Sequence, residues 1–167
     1  MREPIKVIAD ILASELALPA GQIMLAYEEW DIESTPGLFI SLAYIGEKVL
    51  ANNNYAEADN VGGFIETQEV VMRHEIQIDM MSFDDSARLK KEQVVAALHS
   101  VAAQQAMDEN KISIARIPSG FVNTSNLEES RMLNRFTITI SVSALHSFTK
   151  TPPYYNTFNP PEVHANA

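Results

Sequence analysis

The 167-residue chain contains no cysteine. That absence removes disulfides, thiolate zinc sites, iron–sulfur clusters and cysteine nucleophiles together. The fold must then rest on its core, and at this length a compact domain buries roughly 70% of the surface its unfolded chain exposes. Long apolar runs are missing too, so no stretch reads as a membrane span. The opening Met1-Arg2-Glu3-Pro4, with further acids at Asp10 and Glu15, does not resemble a secretory or transit segment, and a protein folded in the cytosol is the expectation. Six glycines include no P-loop and no GxGxxG phosphate cradle. Basic residues are scarce, 12 against 22 acids, and unevenly placed: residues 1–69 hold 12 acids and 3 bases, the remainder 10 and 9. Such a field repels nucleic-acid phosphates, and solubility is its plainest consequence.

What is present is periodic. Residues 4–17 predict a helix, with Pro4 in the first turn and Ile5, Ile8, Leu12 and Leu16 on one face. Residues 22–27 suit a short strand, and 38–45 a longer one that Gly46 bends before 47–51. Asn52-Asn53-Asn54 and the residues to Gly63 read as a long loop. Residues 70–80 alternate cleanly, with Val70, Met72, His74, Ile76, Ile78 and Met80 on one side. Ser82-Phe83-Asp84-Asp85 announces a helix to about Met107, its stripe running through Ala87, Lys91, Val94, Leu98, Val101 and Gln105. Residues 111–117 form a short strand, and 132–144 a second long alternating one. The last 20 residues, from Phe148, hold four of the eight prolines and predict an extended tail. The whole reads as one α+β domain over 1–147 followed by that tail. Its architecture is a two-layer sandwich, mostly antiparallel β-sheet packed by two helices.

Chemistry is harder to find. His74-Glu75 begins like a zincin motif, but position 78 is Ile and the segment is a strand, whereas the motif needs two histidines one helical turn apart. A satisfied core histidine, buried with one partner, is the plainer reading of His74. The four histidines show no metal-ligand spacing. The carboxylate pairs at 28/29, 84/85, 108/109 and 128/129 fall at loops and element ends, where capping and solvation explain them. No catalytic, cofactor-binding or metal-binding residue is assigned. Aromatic and apolar residues outside the regular elements are the unusual feature: Trp30, Ile32, Tyr55, Phe64, Tyr154, Tyr155 and Phe158 are candidate interface residues.

Two stretches bring a family to mind. One is Ile76-Gln77-Ile78-Asp79-Met80-Met81 followed by the alanine-rich helix at 86–107. The other is Ile117-Pro118-Ser119-Gly120, a linker, and the arginine-led strand at 131–143. Together, over residues 65–147, they resemble the tail-terminator and neck-terminator proteins of tailed bacteriophages. The resemblance implies a structural virion protein assembled in the host cytoplasm. It implies a homo-hexameric ring that caps the tail tube, fixes its length and meets sheath, neck or connector proteins. DNA would slide through without specific binding, so Glu28, Glu29, Asp31, Glu33, Glu57 and Asp59 become candidate channel-facing acids. The resemblance supplies no catalytic residue, no cofactor and no membrane contact. The alternatives are another head–tail joining or baseplate subunit, or a small α+β enzyme or ligand-binding module using His74, Glu75 or the carboxylates.

Overall fold

The computed structural model describes residues 2–26, 36–58, 64–116, 120–128 and 131–151. The elements run α1 (Pro4–Glu15), β1 (Ile23–Leu25), β2 (Phe39–Ala58), β3 (Phe64–Ser82), α2 (Ser86–Leu98), α3 (Val101–Glu109), β4 (Ile112–Arg116), β5 (Val122–Asn123), β6 (Asn126–Glu128) and β7 (Arg131–Lys150). The sheet order is β1-β2-β3-β7-β4, with β5 and β6 continuing the outer side of β7. Every pairing is antiparallel except β1 with β2, which is parallel. This is an α+β fold with the helices on one face of the sheet.

The alternation read in the sequence builds the centre. Ile76, Ile78 and Met80 of β3 pair with Tyr44, Leu42 and Ile40 of β2 and with Ile140, Ile138 and Phe136 of β7. Directly paired residues share a face, and here that face is buried under the helices. Ile5, Ile8, Ile11 and Leu12 of α1 enter the same core, with Ala87, Val94, Ala97 and Leu98 of α2 and Ala103 and Met107 of α3. The Tyr44 hydroxyl accepts a hydrogen bond from the Ile5 backbone N–H at 3.1 Å, fixing the start of α1 to β2. On the opposite face Phe39, Met81 and Leu133 form a smaller apolar cluster with Met24 and Phe83 against it. That face is therefore partly covered.

Three expectations need correction. The helix expected over 86–107 is two helices, making three among the described residues. It breaks at His99-Ser100, where the Ser100 side chain accepts from the Ala103 N–H at 3.0 Å and starts a new helix. The break resets the buried face from Leu98 to Ala103 and leaves Val101 77% exposed, off the stripe expected of it. The loop expected at 52–63 is strand as far as Ala58, because β2 pairs with β3 down to Ala58 and Phe64. The tail expected from Phe148 begins later, since β7 stays paired to β3 through Lys150 opposite Glu66.

The start of α2 keeps the expected chemistry with a shifted partner. The Ser82 hydroxyl accepts from the Ala87 N–H at 2.9 Å and donates to the Asp84 carbonyl at 2.6 Å, while the Asp84 carboxylate accepts from the Ser86 N–H. Lys91, a cation in a core-facing stripe, lies 5.5 Å from the Phe136 ring centroid and 5.7 Å from that of Phe121. Its stem packs while its charge stays at the rim.

Ile78 and Ile140 are wholly buried at adjacent positions of the central strands. Ile78→Ala or Ile140→Ala is expected to lower unfolding free energy by about 2–5 kcal/mol in urea titrations. Val49→Ala, on β2 and 55% exposed, is expected to change it by less than about 0.5 kcal/mol.

Candidate interaction surface

The three long strands outrun the layer that packs on them. β2 and β7 have 20 residues each and β3 has 19, which at ~3.3 Å per residue is about 65 Å. The helices have 12, 13 and 9 residues, none longer than about 20 Å at 1.5 Å per residue. Beyond residue 45 of β2, before residue 75 of β3 and after residue 144 of β7, the strands project as a three-stranded blade. Register shifts between Tyr44 and Gly46 and between Val49 and Ala51 mark bulges at its root, where a strand bends and twists more strongly.

Both faces of the blade carry apolar side chains in solvent. On the helix side lie Val49, paired through Met72 to Ala144, and Phe148, paired to Gln68; they are 55% and 58% exposed. On the other side lie Tyr55 at 49% and Ile65 at 38%, with exposed Glu57 paired to Ile65. Ile45 and Leu50 stand exposed at the bulges. The three strands are strapped near the tip by polar contacts. Asn54 donates to Glu66 at 2.7 Å, and the Lys150 ammonium stands 3.0 Å from the same carboxylate. Lys150 first, then Asn54, holds the Glu66 carboxyl below its usual range.

At the blade root a buried histidine stacks against two half-buried rings. His74 is 6% exposed, its Nδ1 is 2.9 Å from Glu47 Oε1, and its ring centroid lies 5.4 Å from Tyr44 and 6.3 Å from His146. The Nε2 atoms of His74 and His146 are buried and have no hydrogen-bond partner among the described residues. His74 is thus a core histidine satisfied on one nitrogen. Glu75 points to the opposite face, where its carboxylate accepts from the Ser141 hydroxyl. His74 and Glu75 do not converge on one site. Among the described residues no three histidine, aspartate or glutamate side chains are grouped to hold a metal ion. Two shallow depressions beside α1 are lined by other residues, Val7, Ile11 and Ala103 in one and Ala9, Leu18 and Ile23 in the other.

A second polar centre braces the face opposite the helices. Asp79 is 6% exposed and accepts hydrogen bonds from Arg135 at 2.7 Å, from Gln77 at 2.9 Å and from the Thr137 hydroxyl. Burial pushes its carboxyl up, but the Arg135, Thr137 and Gln77 hydrogen bonds together outweigh burial and hold it below the ordinary value.

The sequence candidates separate clearly. Tyr55 and Glu57 stand on the blade instead of in a loop, and Phe64 opens β3. Trp30, Ile32, Tyr154, Tyr155, Phe158, Glu28, Glu29, Asp31, Glu33 and Asp59 lie outside the described residues. Sequence reasoning missed Val49, Leu50, Ile65 and Phe148. The available signal was an apolar residue in a segment that alternates but has no helix to pack on it. In comparison with known proteins, no family model and no curated protein matches the chain.

Asp79→Asn is expected to cost about 1–3 kcal/mol at pH 7, the range for losing a charged hydrogen-bond partner. A carboxyl held low in the folded state contributes its full stability above the unfolded pKa of about 3.9 and loses it as pH falls through the lower folded value. The difference between wild type and Asp79→Asn is therefore expected to shrink below about pH 4, as read by denaturant unfolding across pH.

Proposed function

We propose that this chain is a structural virion protein that assembles into a ring. More particularly, it is a tail or neck terminator: a homo-hexameric ring at the head-proximal end of the tail tube that fixes tail length and joins tail to head. The observation that carries the reading is the projecting blade, whose exposed apolar residues on both faces fit a surface made to be covered by other subunits. The resemblance adds support, because its two stretches fall on β3 with α2 and α3 and on the approach to β7. The partners on this reading are further copies of the chain, the tail tube protein and sheath, and the neck or connector proteins. DNA passes through the ring without specific binding, and the net charge of −10 suits passage without adhesion. The protein performs no reaction and works as a joint.

Purified protein imaged by negative-stain electron microscopy across a concentration series, alone and with tail tubes, tests this. Rings with a central hole, or a cap on one end of each tube, are the expected result. A monomer at every concentration that leaves tube ends bare contradicts it, and rings that bind a baseplate instead of a tube end reassign the subunit to another joint. A chain ending at Thr151 is expected to remain folded but to join heads to tails poorly, since it lacks Tyr154, Tyr155 and Phe158, candidate interface residues on this reading.

A further inference from the structure

The blade has an open edge on each side. β2 is paired to β1 only from Ile40 to Leu42, and beyond that no strand flanks its outer side among the described residues. β7 is flanked by β4 up to Ala144, and beyond Leu145, whose N–H reaches the Lys111 carbonyl, its outer side is likewise open. The register sets both edges at one height, since Asn54 pairs with Gln68 and Gln68 with Phe148. Proteins ordinarily blunt such edges with lysine, proline, bulges or a covering element. Residues 51–58 of β2 contain no lysine and no proline, carry Glu57 as their single charge, and lie past the last bulge. Residues 145–149 of β7 contain no lysine and no proline either. The β2 edge is undefended against strand pairing, and the β7 edge is guarded only at its end, by Lys150.

We propose that a second copy of this chain fills each edge, the outer half of β2 in one copy pairing with residues 146–150 of β7 in the next. This rests on the ring-forming reading and adds the junction that makes the ring. Head-to-tail addition satisfies both open edges at once, whereas a two-fold pairing of β2 with β2 leaves the β7 edge bare. β2 and β7 both run antiparallel to β3, so they share a direction. Rotation about an axis along the blade preserves that direction, which makes the junction a parallel pair. A heterologous contact repeated by rotation closes into a ring when the rotation divides the circle.

The absence of cysteine makes the test clean. Asn54 and Phe148 flank Gln68 within one copy, two strand spacings or about 9–10 Å apart. That exceeds the ~7 Å Cα separation a disulfide can bridge, so a bond between them must join two copies. The full-length double variant Asn54→Cys with Phe148→Cys, and companions with Cys at Asn52 or Ala56 to allow one step of register either way, would be oxidised at a concentration that gives rings. Most of the chain is expected in a covalent ladder beyond dimer in one of the three, with circular dichroism showing a folded domain before oxidation. Rings without a ladder in any double variant overturn the junction and leave the ring reading standing. Covalent dimers from Asn54→Cys alone overturn it in favour of two-fold pairing. No ladder and no oligomer by light scattering at any concentration overturn both.

Discussion

Two lengths in this fold do not match. Strands of about 65 Å are packed by helices of at most about 20 Å, and one contiguous core forms only where the two overlap. Inside the overlap, the direct pairing of Ile76, Ile78 and Met80 with apolar residues on both neighbours fixes register, because a slip by one residue would turn each to the wrong face. Outside it, Val49, Tyr55, Ile65 and Phe148 stay exposed among the described residues. The stability of the domain and the availability of its blade are two consequences of one constraint.

The boundary between the two regions is itself structured. His74 ends the buried alternation of β3, its hydrogen bond to Glu47 ties β3 to β2 between the bulges, and His146 packs edge-on from β7. On the opposite face the Asp79, Arg135, Thr137 and Gln77 hydrogen bonds hold the same strands together through polar contacts. The blade is thus anchored on both faces before it leaves the helices. A further strap at Asn54, Glu66 and Lys150 keeps its three strands together near the tip.

The legible part of this fold is the part under the helices. The alternation in 70–80 and 132–144 identified both central strands, and the apolar face of α1 was readable from its spacing. The projecting halves were not, because strands without a core have no need of period two. Asn52-Asn53-Asn54 has turn-like composition, yet pairs in register with Val70, Glu69 and Gln68. The helix break was masked by Leu98 and Val101, whose spacing of three imitates a continuous stripe, while the signal was the serine at position 100 able to cap. Choosing loop aromatics as interface candidates brought in Tyr55 for its exposure but for the wrong element. Phe148 was assigned to the tail because prolines follow it closely, although its pairing partner Gln68 lies within β3.

A blade whose edges are used by neighbours should be open in the isolated chain and closed in the assembly. Hydrogen–deuterium exchange followed by mass spectrometry, at a dilute and at a ring-forming concentration, reads this directly. The account predicts that amides in 51–58 and 146–150 exchange fast when dilute and slow markedly on assembly, while those in 76–82 are protected in both states. Assembly with unchanged exchange in 51–58 and 146–150, and new protection confined to the helix layer, would contradict it.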